Sequence, residues 1–192
     1  LANVLGVQTA IIGLIEGVAE ATASLLKLFS GWLSDKIGGR KWVAVAGYAI
    51  SAIAKPFFYI ANSWGMIAAI RWADRVGKGV RTAPRDALVA DSISPQQRGL
   101  AFGFHRAADT GGAVVGLLIA LGIVWRTQAG GLRLDAGTFR TVVLISLIPA
   151  FLAVLALAIG ARDVARPERL HAPRITFAGL GQPFLVFMLI VG

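Results

Sequence analysis

Cysteine is absent from all 192 residues, which excludes disulfides and thiolate metal sites and leaves the redox compartment open. Acidic residues are scarce, with 10 against 19 Lys and Arg, and charged residues of both signs make up only 15% of the chain. Hydrophobic residues make up 56% and the mean hydropathy is +0.71, far more apolar than a soluble domain of this size. The composition belongs to the polytopic membrane class. A net charge of +9 would point to nucleic acid in a soluble protein. Here it has another origin, because Lys and Arg collect in the cytoplasmic loops of membrane proteins, so no nucleic-acid partner is expected. The opening LANVLGVQTA lacks the basic n-region and cleavage site of a secretory signal. A start at Leu1 and a stop at Gly192 inside an apolar run read as a piece of something longer.

Apolar runs near 10–29, 42–61, 64–90, 99–125 and 139–161 are each long enough to cross a bilayer as a helix. They predict an all-α transmembrane bundle over 1–161, a polar cytoplasmic loop over 162–175, and the start of a sixth span over 176–192. Lys36, Arg40, Lys41, Arg98, Arg162, Arg166, Arg169 and Arg174 fall on one side of the membrane. The other side has Arg126, Arg133 and Arg140, so the first side is assigned to the cytoplasm.

The third run, WGMIAAIRWADRVGKGVRTAPRDALVA from Trp64 to Ala90, holds most of the chemistry. At about 100° per residue, Arg71, Asp74, Arg75, Lys78, Arg81, Arg85 and Asp86 fall inside an arc of roughly 140°. Each such charge facing lipid at the bilayer centre costs about 2.5–3.5 kcal/mol, so the stripe must look into protein or water. Five cations against two carboxylates suit an anionic solute, whose entry relieves their mutual repulsion and their desolvation. The competing reading is a scaffold, in which Asp74, Glu16, Glu20 and Asp109 neutralise the stripe internally.

Other polar groups lie at membrane depth. Glu16 and Glu20 share a face of the first run with Thr9, Gly13 and Lys27, and read either as ion-pair partners or as proton carriers. His105 and Asp109 lie one helical turn apart in the fourth run and are further candidates for proton coupling. Gly112 and Gly116 continue their face, which predicts close packing against a neighbouring helix; the same is expected of Gly13 and Gly17. Lys55 shares a face with Gly47 and Ser51, and its long stem suits snorkelling to the interface. Two possible ligands on one helix make a poor metal or enzyme centre, so no metal, cofactor or catalytic residue is expected.

The stretch GWLSDKIGGRK, expected to be a short basic loop between the first two runs, resembles the signature of the major facilitator superfamily between its second and third helices. Gly31, Leu33, Asp35, Lys36, Gly38 and Arg40 stand in the matching places. Arg71, Asp91, Pro95, Arg98 and Gly99 match a second set of family positions, from the fourth helix to the start of the fifth. The wording DRVGKGVRTAPRDALVADS is similar to that of a bacterial subgroup. Arg75 replaces the Gly usual one turn after the fourth-helix Arg, and Gly116-Leu117 replaces the Gly-Pro of many drug/proton antiporters.

The resemblance implies the N-terminal half of a secondary transporter of the bacterial inner membrane, covering the second to sixth helices and the start of the seventh. It also implies a partner in the missing C-terminal half, a small-molecule solute moved by alternating access, and Arg71, Asp74, Arg75, Lys78, Arg81 and Arg85 along the solute path. The gating network would be Gly31, Asp35, Lys36, Gly38, Arg40, Asp91 and Arg98. In that network Asp35 would engage Arg40, Arg85 or Arg98, and Gly31 and Gly38 would supply turns. A membrane scaffold or sensor that keeps the fold is the alternative.

Overall fold

The computed structural model describes residues 9–127 and 135–164. The cytoplasmic loop from 165 onward and the sixth span expected from the sequence lie outside these residues. The elements are α1 (Thr9–Ile37), α2 (Arg40–Ala54), the single turn α3 (Phe57–Ile60), α4 (Trp64–Asp91), a 3₁₀ turn (Pro95–Gln97), α5 (Arg98–Thr127) and α6 (Ala136–Gly160). Among the described residues there is no strand, as the all-α expectation required.

Local chemistry sets several ends. Ser63 caps α4 by accepting from the Met66 amide at 3.3 Å, and Asp135 caps α6 by accepting from the Gly137 amide at 3.0 Å. Pro56 has no amide hydrogen to continue α2, so the second span breaks at Lys55 and resumes as α3. Three segments, Arg40–Ile60, Pro95–Thr127 and Ala136–Gly160, are long and apolar enough to cross a membrane. Helices α1 and α4, of 29 and 28 residues, extend for about 42 Å each and have the length but carry ionic faces.

Two sequence expectations need correction. The stretch GWLSDKIGGRK is not a loop throughout: α1 runs to Ile37, and the chain turns at Gly38, whose φ of 76° favours a residue without a side chain. Asp35 and Lys36 are compatible with a last helical turn, and no strong breaker precedes Gly38. Gly31 therefore supplies no turn; a Cβ added there would lie 3.3 Å from the Ala83 Cβ, so its role is close packing of α1 on α4.

The second correction concerns which glycines pack. Cβ atoms at Gly13, Gly17, Gly112 and Gly116 would meet nothing within 4 Å. The close approaches occur elsewhere. A Cβ at Gly77 would lie 2.5 Å from Ser51 Oγ and 2.7 Å from the Gly47 carbonyl; one at Gly79 would lie 2.7 Å from the Ala23 carbonyl. Small residues thus seat α4 between α1 and α2, with backbones nearly touching. The buried apolar core is mostly alanine, including Ala19, Ala23, Ala44 and Ala52, with Pro84 of α4 fully enclosed. Helix α6 packs on α2, whereas α5 has no buried residue.

Candidate functional site

The ionic stripe of α4 divides into two sectors when its neighbours are in place. One sector faces α1. Arg71 Nε donates to Glu16 Oε1, Arg75 lies 3.5 Å from Glu16 Oε2 and 3.2 Å from Glu20 Oε2, and Lys78 Nζ donates to Glu20 Oε1 at 2.8 Å. Glu16 and Glu20 lie one turn apart on α1, so a ladder of two carboxylates meets a ladder of three cations. Of the two readings open for these acids, their geometry is that of ion-pair partners. Trp72 Nε1 donates to Thr22 Oγ1 at 3.2 Å on the same seam.

The other sector faces α2, α5 and α6 across a cavity of about 470 Å³. Lys55, Asp74, Arg81 and Asp109 line it, with Tyr48 and Ser51 at its α2 wall. Arg81 Nη1 donates to Ser51 Oγ at 2.7 Å, and its guanidinium lies 4.6 Å from the Tyr48 ring centroid. The same Ser51 hydroxyl donates to the Asp74 carbonyl at 3.1 Å, which ties the Arg81 anchor to the backbone of α4. Arg85, one turn further, pairs with Asp86 at 2.9 Å.

Sequence reasoning missed Tyr48 and Ser51 and sent Lys55 toward the interface; instead Lys55 looks inward with the α4 charges. The shared face of Gly47, Ser51 and Lys55 was the available signal, because the position of Gly47 against Gly77 fixes that face toward α4. His105 does not join Asp109 at the cavity; its Nε2 is enclosed without a hydrogen-bond partner among the described residues.

At the other end of α4 three of the expected gating residues, Asp35, Arg40 and Asp91, meet at one guanidinium. Arg40 Nη2 donates to Asp35 Oδ1 at 2.9 Å, while Nη1 donates to Asp91 Oδ2 and, at 2.9 Å, to the Ala87 carbonyl. The fork thereby joins the last turns of α1 and α4 to the first turn of α2, a geometry that suits arginine better than lysine. Arg98 donates to the Ala90 carbonyl at 3.2 Å, and Lys36 lies over the Trp32 ring. The Lys41 amide donates to Asp163 Oδ1 at 2.9 Å, so the segment after α6 returns to the same end.

The sequence profile of the Major Facilitator Superfamily matches residues 1–191. The chain belongs to that superfamily. The resemblance read from the signature stretch is thereby borne out, and the superfamily comprises membrane transporters rather than enzymes. Its integral-membrane character agrees with the three apolar spans.

An uncharacterized MFS-type transporter of Methanocaldococcus jannaschii is 34% identical over 146 residues, 76% of this chain and 34% of that protein. An uncharacterized protein of Mycobacterium tuberculosis is 33% identical over 85% of this chain and 38% of its own length. The multidrug resistance protein MdtH of Cronobacter sakazakii is 29% identical over 60% of this chain and 28% of its length. No solved structure matches. The chain thus spans about a third of the length of these relatives.

Proposed function

We propose that this chain is a fragment, most of the N-terminal half, of a secondary active transporter of the bacterial cytoplasmic membrane that moves a small solute with an anionic group by alternating access. A C-terminal half completes the path, as the relatives' greater length supports. The observation that carries the reading is the ionic stripe of α4 at membrane depth, where the Arg81 guanidinium is held by Ser51 and Tyr48 and makes no ion pair among the described residues. Such a cluster of charge at membrane depth serves no apolar packing, which disfavours a scaffold.

The roles along the stripe then separate. Arg71, Arg75 and Lys78, neutralised by Glu16 and Glu20, form the stiff wall of the pathway. Arg81 is the solute's anchor, with Lys55 as a second cation. Arg40, Asp35 and Asp91 clamp the cytoplasmic ends of three helices and release when the halves rock. Of the protonatable candidates, Asp109 suits proton coupling best, because it lines the cavity while Glu16 and Glu20 are already committed to ion pairs.

The test is uptake of small anions by the full-length protein in vesicles. Arg81→Gln should reduce flux tenfold or more, while Arg71→Gln leaves solute affinity within about threefold. Equal loss in both variants would return binding to the whole ladder, and indifference to Arg81→Gln would end the reading.

A further inference from the structure

We propose that Asp163 is a positioning residue of the cytoplasmic clamp: it ties the segment after α6 to the first turn of α2, beside Arg40, so that movement of that segment acts on the clamp. The role of the clamp rests on the alternating-access reading above, whereas the tie itself does not. Its basis is the capping of α2. The first amides of a helix have no acceptor within the helix and usually take one from the side chain at the N-cap. Gly39 holds that position in α2 and has no side chain to offer. Asp163 supplies the acceptor from 122 residues away, its Oδ1 accepting from the Lys41 amide at 2.9 Å. A carboxylate is also favoured at this positive end of the helix dipole. The contact is with backbone rather than with charge: among the described residues no ammonium or guanidinium bonds Asp163, and Lys41 Nζ lies over the Trp42 ring at 5.2 Å.

An exposed hydrogen bond of this kind is by itself no stronger than an ordinary helix cap; its placement is what matters. Arg40 and Lys41 are consecutive in the first turn of α2. The Arg40 side chain reaches to Asp35 at the end of α1 and to Asp91 and the Ala87 carbonyl at the end of α4, while the Lys41 amide reaches to the segment after α6. One helical turn thus gathers ties from three other helices, and a pull on Asp163 is delivered one residue from the guanidinium that closes the clamp. In the transporter proposed above that segment leads toward the second half, so rocking of the halves has a route to the clamp through the chain itself. A local cap would hold α2 equally well without that route. The backbone at Gly39 accommodates one: its φ of −118° suits any residue, and a Cβ there would meet only Ile37 Cγ2 at 3.8 Å and Asp163 Oδ2 at 4.0 Å. The sequence leaves to a distant carboxylate what a serine at that position would do in place.

The experiment uses the full-length protein. Gly39→Cys and Asp163→Cys, introduced together in a cysteine-free background, should be joined in native membranes by a short bifunctional methanethiosulfonate; no cross-link would overturn the tie. Asp163→Ala should lower the melting temperature and, at unchanged KM, slow the uptake of small anions about fivefold, the rate equivalent of one helix cap. Asp163→Asn, which keeps an acceptor oxygen, should retain most of both. Adding Gly39→Ser to Asp163→Ala should restore melting but not uptake. Uptake that recovers together with melting would reduce Asp163 to a plain cap and overturn the positioning role, as would uptake untouched by Asp163→Ala. A parent protein that takes up no small anion would count against the transport reading alone, and the clamp is then read by melting. The losses from Asp163→Ala and Asp35→Ala should fall short of adding in the double variant, and simple additivity would overturn the role.

Discussion

Helices α4 and α5 have nearly the same length and opposite character. Helix α4 carries seven ionisable residues between Arg71 and Asp86 and is held on both flanks by α1 and α2; α5 is strongly apolar over its middle and buries no residue. In a water-soluble bundle the apolar helix would be the buried one. Here the charged helix is flanked on both sides and the leucines are exposed, because Leu117, Leu118 and Leu121 can be met by lipid or by a further helix at little cost, whereas Arg81 needs protein or water. What draws α4 inward is backbone proximity at Gly47, Gly77 and Gly79 together with the ion pairs of α1, not apolar area.

The largest expected effect breaks that contrast at its tightest point. Gly77→Val places a branched side chain where Ser51 Oγ, the Gly47 carbonyl and the Ser51 amide lie within 2.9 Å of a mere Cβ. Two of those atoms belong to the backbone, so overpacking costs about 3 kcal/mol, the upper end of the usual range, and the full-length protein should lose its monodisperse peak in detergent. Next comes Glu16→Gln, which deprives Arg71 and Arg75 of a shared partner. Arg71 and Glu16 are each 37% exposed, so a double-mutant cycle with Arg71→Gln should return a coupling of only about 1 kcal/mol. A coupling near zero would mean that the ion pairs do not help to hold α4.

The smallest effect belongs to α5. Gly111→Ala meets no atom within 4 Å and exchanges glycine for the best helix former, so melting should move upward by the equivalent of about 0.5–1 kcal/mol. A destabilisation comparable to that of Gly77→Val would sharpen the comparison differently, by revealing that α5 is packed in the full-length protein by a helix outside the described residues.

The register of α4 was legible because seven charges on a 3.6-residue period can share only one face, and because that face cannot meet lipid. The signature residues Asp35, Arg40 and Asp91 were legible as a set through the family pattern, and their meeting at one guanidinium follows from the turn at Gly38. Less legible was which small residues oppose one another. Gly13 and Gly17 have the same spacing logic as the true contacts, yet only a partner's position decides whether a missing side chain is used. For the same reason the stripe's division stayed hidden: Arg71 and Arg81 are similar residues on one helix, and the placement of Glu16 and Ser51 on different neighbours sends them to different fates. Lys55 was misread because its stem permits snorkelling and its sequence neighbours do not reveal that Asp74 and Asp109 share its space.

The central claim is that the stripe of α4 borders water-accessible space inside the protein while α5 meets lipid. These 192 residues contain no cysteine, so single cysteines can report on it directly, with any elsewhere in the full-length protein removed. In native membranes, Asp74→Cys and Arg81→Cys should react with a charged, water-soluble maleimide, and Leu117→Cys and Leu118→Cys should resist it. Labelling of the α5 positions with protection of Asp74→Cys and Arg81→Cys would contradict the account.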